Sequence, residues 1–173
     1  IYAIPIWSIC NQQMQTELLK KQKMAIRAIN GLKYNDHTEP HFKKLEILPL
    51  PSMIDFFSIQ FMHRFVQGFL PVSFDDTWTT NAMRREGQNH VCLRNDDNIY
   101  IPPARLSQTS NHPLTNLPRK WESIADVHSV TILRDRKEFD QALKSHFLNK
   151  LKSHVTCENP LCPSCTNIAN IIS

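Results

Sequence analysis

The sequence predicts a mainly α fold: a small helical bundle with a minor β-hairpin and a long irregular middle segment. Three observations carry this. Apolar residues recur at helical spacing in residues 14–30, 52–68 and 135–153. Three glycines against eleven prolines disfavour a β-barrel or a glycine-rich nucleotide fold. Apolar residues make up 41% of 173, which argues against global disorder, and a chain this long can bury roughly 70% of its unfolded surface. The predicted organisation is a helical region over 1–70, an irregular linker with one credible hairpin over 71–120, a helical region over 121–153 and a cysteine-rich tail over 154–173.

The elements follow in order. The stretch from Ile1 to Trp7 is apolar and broken by Pro5, which suits an edge strand or the tail of a larger element whose packing partners lie upstream. The first helix runs from about Met14 to Asn30, with Leu18, Gln22, Ala25, Ile26 and Ile29 on one face and Lys20, Lys23 and Arg27 on another. Gly31 supplies the positive φ of a helix stop. Thr38 is placed to cap a short helix opening with Glu39 and Pro40, and Pro49 and Pro51 close it. Ser52, with Asp55 as an imperfect capping box, opens the next helix. Ile54, Phe57, Phe61 and Phe65 line its core side, widened by Met62, Val66 and Phe69, with Gln60, His63, Arg64 and Gln67 opposite. Val91–Leu93 and Ile99–Ile101 flank the turn-rich Asn95–Asn98 as a hairpin. Trp121 falls in a short helix, Val130–Leu133 reads as a strand, and Asp135 with Glu138 starts a last helix lined by Phe139, Ala142, Leu143, Phe147 and Leu151.

Charge is uneven. Residues 1–50 carry seven Lys/Arg against four Asp/Glu, residues 51–100 four against six, and residues 101–173 nine against six. Two basic ends around an acidic middle suit contact with phosphate at separate places. No apolar run approaches the roughly 18 residues that span a bilayer, and no charged n-region precedes an apolar run, so neither a membrane span nor a signal peptide is expected.

Tyr2-Ala3-Ile4 and Trp7 are followed by Gln22-Lys23-Met24-Ala25-Ile26-Arg27, then Lys33-Tyr34-Asn35-Asp36-His37-Thr38-Glu39-Pro40 and Phe42-Lys43-Lys44-Leu45 with Ile47-Leu48-Pro49-Leu50. This ordered set resembles the region after the polymerase palm in reverse transcriptases of jockey-like non-LTR retrotransposons. Weaker matches continue through Phe61-Met62-His63, Leu70-Pro71, Tyr100 to Arg105, Leu143 to Leu151, and Cys162-Pro163-Ser164-Cys165. The resemblance implies a thumb-like region over 1–70 that packs beside the palm and holds the RNA and DNA template–primer duplex by its phosphates. Lys20, Lys23, Arg27, Lys33, Lys43 and Lys44 are the candidate nucleic-acid-binding residues on that reading, an ordinary solvated face being the bland alternative. Tyr34 can lie against a sugar or base, or pack into the core or turn. The implied partners are nucleic acid and an upstream polymerase domain of the same polyprotein, in nuclear and cytoplasmic compartments.

The nearest catalytic signal is Phe74-Asp75-Asp76. The family binds two magnesium ions through an aromatic-x-Asp-Asp turn, but here the aromatic residue adjoins the first aspartate. A solvated loop pair or helix cap fits better, so no catalytic residue is expected in this chain, and magnesium belongs to a palm upstream of it.

Cys157, Cys162 and Cys165 fall as C-x4-C-x2-C after His154. Tetrahedral zinc needs four N/S ligands, and a C-x2-C knuckle presents two thiolates from one tight turn, so His154, Cys157, Cys162 and Cys165 are a candidate zinc site. Reduced cysteines, or a site whose fourth ligand lies beyond the chain, remain the alternatives. Cys10 and Cys92 are isolated, and nothing local activates Cys92 as a nucleophile. Cysteine usage suits a reducing compartment. His37 and His41 near Glu39 could be ligands or a base, or serve capping and surface polarity. The function expected is a nucleic-acid-holding part of an RNA-directed DNA polymerase that lacks the active site. A zinc-stapled protein-interaction module and a decayed element fragment are the rivals.

Overall fold

The computed structural model describes residues 12–85, 97–124 and 135–151. It is mainly helical, as the periodicity predicts. The described residues form α1 (Gln12–Asn30), α2 (Glu39–Lys44), α3 (Leu50–Val66), α4 (Asn81–Arg85), α5 (Ser107–Asn111), α6 (Pro113–Glu122) and α7 (Arg136–Lys150), with a 3-10 turn at Val72–Phe74. They divide into two compact units, one spanning 54–139 and the other joining 12–53 to 140–151.

In the first unit Met62, Trp78, Ile99 and Leu117 make a buried cluster, with Phe61, Phe65 and Trp121 packed against it. The core face of α3 is turned relative to the phenylalanine ladder. Its buried residues are Ile54, Ser58, Ile59, Met62 and His63, while Val66 and, beyond the helix, Phe69 are exposed. His63, expected on the polar side, is buried because its imidazole ring stacks flat on Phe139 at 3.8 Å and 11°. An aromatic face can satisfy a core position that an ammonium or carboxylate cannot.

The middle of the chain holds more helix than its turn residues suggest. Pro113 opens α6, where its missing N–H costs nothing. Pro118 lies inside the same helix and cannot donate to the carbonyl of Leu114, four residues back. The indole Nε1–H of Trp78 donates to that carbonyl instead, at 3.1 Å. Lys120 ties α6 to α3 through Asp55 at 3.0 Å. Asp55 is therefore spent on an ion pair, and α3 starts at Leu50, ahead of Ser52. The expected Ser52–Asp55 capping box does not form.

Ile99 makes an isolated antiparallel bridge with Thr80. Tyr100 N–H donates to Thr79 O at 2.8 Å and Asn81 N–H to Asn98 O at 3.0 Å. The Arg84 guanidinium lies 3.7 Å from the Tyr100 ring centroid. Val91–Leu93, the other arm of the expected hairpin, lies outside the described residues, as do Ile1–Trp7 and Val130–Leu133. Asp135 caps α7 as expected, its Oδ1 accepting from Lys137 and Glu138 N–H at 2.8 and 3.0 Å.

In the second unit, two helices end with the paired hydrogen bonds of a Schellman motif. At α1, Leu32 N–H bonds Arg27 O and Gly31 N–H bonds Ala28 O, with Gly31 at φ +64°. At α2, Ile47 N–H bonds Phe42 O and Glu46 N–H bonds Lys43 O, with Glu46 forced to φ +52°. Thr38 occupies the N-cap position of α2 but makes no side-chain cap bond. The start of α3 is capped from a distance: Leu50 N–H donates to Gln22 Oε1 at 2.8 Å and Gln22 Nε2 donates to Leu48 O at 2.9 Å.

Candidate nucleic-acid interface

The six candidate cations all lie in the second unit. Its described residues carry nine Lys/Arg against five Asp/Glu, whereas those of the first carry eight against seven. The positive excess therefore sits where the basic helix is. Acids of this unit are also engaged at home. Asp36 is buried and accepts from Lys33 N–H, and Glu46 lies 3.7 Å from Lys144.

On α1, Lys20, Lys23 and Arg27 stand at i, i+3 and i+7, one face of the helix. The apolar side predicted for α1 is only partly buried. Ile26 is buried and Gln22 half-buried, but Leu18, Ala25 and Ile29 are exposed together with Met14. The helix is rotated so that Lys23 and Arg27 edge toward the protein. Gln22 accounts for the rotation, since its amide must face the Leu48–Leu50 backbone to make two hydrogen bonds.

Arg27 differs from the lysines. Its Nη2 donates to the carbonyl of Asp36 at 3.3 Å, and its guanidinium lies 5.7 Å from the Tyr34 ring centroid. It holds the following turn and is less available to an outside ligand. Lys20, Lys33, Lys43 and Lys44 are exposed and Lys23 is half-buried. Among the described residues, none of these five makes a side-chain hydrogen bond or ion pair. Lys43 and Lys44 end α2, where cations also favour the negative end of the helix dipole. Lys21, exposed on α1 and equally uncommitted, belongs with them although its position off the Lys20–Arg27 stripe hid it.

The turn after Gly31 is closed twice by Asp36. Its N–H donates to Lys33 O at 3.1 Å, and its Oδ2 accepts from Lys33 N–H at 2.8 Å. Tyr34 and Asn35 form the exposed tip, and Tyr34 is 83% exposed. It does not pack in the core; its ring lies beside the Arg27 guanidinium that also bonds the turn at Asp36 O.

Comparison of the chain with protein-family models, with curated proteins and with solved structures gives no match. The chemistry of the site rests on its own residues.

Asp75 and Asp76 are exposed at the end of the 3-10 turn. Among the described residues, no three His, Cys, Asp or Glu side chains are grouped to hold a metal ion. His154, Cys157, Cys162 and Cys165, the candidate zinc ligands, lie outside the described residues, as do Cys10 and Cys92. The titrations of His146 and Glu122 are displaced. Burial, reinforced by Lys150, holds the His146 imidazole below its usual range. Burial pushes the Glu122 carboxyl up, partly offset by the backbone N–H of Ile99. Glu122 Oε2 also accepts from Asn98 Nδ2 at 3.3 Å, so it pins residues 98–99. No described helix is long and apolar enough to cross a membrane.

Proposed function

We propose that this chain holds nucleic acid by its phosphates, as part of an RNA-directed DNA polymerase similar to those of jockey-like non-LTR retrotransposons. It corresponds on this reading to the thumb and the region beyond, and it does not carry the polymerase active site. The observation that supports it is the set of uncommitted lysines on α1, the turn and α2, in the unit that carries the positive excess. Lysines without intramolecular partners can exchange counterions for phosphates, a contact indifferent to base sequence. The template–primer duplex is the proposed ligand, in nuclear and cytoplasmic compartments. The upstream polymerase domain is the proposed protein partner, and the exposed apolar residues Met14, Leu18 and Ile29 of α1 favour a protein contact there.

The test is binding of an RNA–DNA hybrid duplex to the purified chain across salt concentrations. Expected is an affinity that falls as salt rises and drops again in a Lys20→Glu, Lys43→Glu, Lys44→Glu variant. Absence of salt-dependent binding overturns the reading. Zinc is proposed for His154, Cys157, Cys162 and Cys165 on donor chemistry alone. Metal analysis of purified protein beside His154→Ala and Cys162→Ala variants tests it; zinc content that neither variant lowers removes the proposal.

A further inference from the structure

The tip of the Lys33–Asp36 turn presents an aromatic ring where a folded protein has little reason to leave one. Tyr34 is 83% exposed, the highest exposure of any described aromatic side chain. The turn below it is fixed. Asp36 is buried at 7% exposure, closes the turn through both its backbone N–H and its carboxylate, and gives its carbonyl to Arg27. The Arg27 guanidinium also lies beside the Tyr34 ring, and Lys33 next to it is exposed and uncommitted. An exposed ring on a hydrogen-bonded turn, beside an exposed cation, matches the two halves of a nucleotide, a flat base and a phosphate.

We infer that Tyr34 is a stacking site for one unpaired base, with Lys33 taking the adjoining phosphate, so that this unit binds a single-stranded stretch as well as a duplex. This rests on the proposed nucleic-acid function and names a further ligand class within it. A duplex keeps its bases stacked on each other and offers Tyr34 only its backbone or its end. A single strand can slide a base onto the ring, and such stacking tolerates any base because every base has a π face. The hydrogen-bonded turn removes most of the ordering cost that a mobile loop would incur.

The experiment compares dissociation constants of the full chain for a labelled twelve-nucleotide oligothymidine and for a twelve-base-pair hybrid duplex, in the native protein and in Tyr34→Ala and Tyr34→Phe. An 83% exposed side chain can be truncated without endangering the fold. Expected for Tyr34→Ala is a loss of about 5-fold or more on the single strand, with duplex affinity within about 2-fold; Tyr34→Phe keeps both. Equal losses on the two ligands, or no loss on either, overturn the inference while leaving phosphate binding intact; unchanged affinities are also what a protein ligand for Tyr34 predicts. Failure of both ligands to bind the native chain overturns the parent reading as well.

Discussion

The side-chain amide of Gln22, in the middle of α1, stands in for the backbone that α3 lacks at its first turn. It accepts from Leu50 N–H at 2.8 Å and donates to Leu48 O at 2.9 Å, 28 and 26 residues away. Pro51 in that turn has no N–H, and the first regular helical bond reaches Pro49 O from Met53. Gln22→Ala leaves both backbone groups half-buried without partners and is expected to cost about 1–3 kcal/mol in urea unfolding. A change below about 0.5 kcal/mol would mean that water replaces the amide without penalty.

Trp78 and Pro118 are coupled through the Leu114 carbonyl. Trp78→Phe keeps an aromatic ring but removes the N–H that reaches this oxygen in place of the missing helical donor, at an expected cost of about 1–3 kcal/mol. Pro118→Ala restores a donor of α6's own. In a double-mutant cycle the Trp78→Phe penalty is therefore expected to shrink in the Pro118→Ala background; strict additivity would break the link.

The two Schellman motifs of the second unit carry opposite residues at the same conformation. Gly31 at φ +64° has nothing within 4 Å of a Cβ, so Gly31→Ala meets only backbone strain, about 1 kcal/mol of lost stability. Glu46 at φ +52° already bears that strain, and its contact with Lys144 is exposed enough to contribute little. Glu46→Gly is expected to gain about 0.5–1 kcal/mol in thermal or chemical unfolding. Matching signs for the two substitutions would contradict this account.

Arg27 and the lysines around it are expected to separate experimentally. Neutralising Lys20 leaves stability within about 0.5 kcal/mol and neutralising Lys43 or Lys44, at the end of α2, within about 1 kcal/mol, while each lowers the slope of log affinity against log salt by about 1 for each phosphate no longer neutralised. Arg27→Ala frees the Asp36 turn and costs about 1–2 kcal/mol in unfolding measurements. A destabilised Lys20 variant beside an unaffected Arg27→Ala would reverse the assignment.

His146 and Glu122 act in opposite directions as pH changes. The folded imidazole binds its proton less readily than in the unfolded chain, so its contribution is present above the ordinary histidine range and is lost as pH falls through the lowered folded value. The Glu122 carboxyl binds its proton more readily when folded, so its contribution is fully present below the ordinary glutamate range and is lost as pH rises through the raised value. Unfolding free energies measured from about pH 4 to 8 are expected to lose part of their rise with pH in His146→Gln. Glu122→Gln, which keeps an acceptor for Ile99 and Asn98, is expected to raise stability near neutrality relative to the native chain.

Much of the helical content was open to reading from local pattern. Gly31 marks the end of α1, Asp135 caps α7, and the Phe139–Leu143–Phe147 stripe is buried as its spacing indicates. Such features depend on residues within a turn or two of each other. The lysines were also visible as charge, because ionised side chains that find no partner stay in water wherever the backbone goes. What local pattern could not reveal was which faces of α1 and α3 the core would choose. A single amide on Gln22 turns α1, a flat imidazole on His63 turns α3, and Trp78 rescues a helix that Pro118 should weaken. Each depends on a partner far along the chain, brought near only by folding: Leu50 for Gln22, Phe139 for His63, Leu114 for Trp78. The same dependence separated Arg27 from the lysines and left Tyr34 exposed at the tip of its turn. Local pattern placed α1, α2, α3, α7 and the cations; the helices between Asn81 and Glu122, and the choice of which polar groups are used inside the protein and which stay available, came from contacts made only on folding.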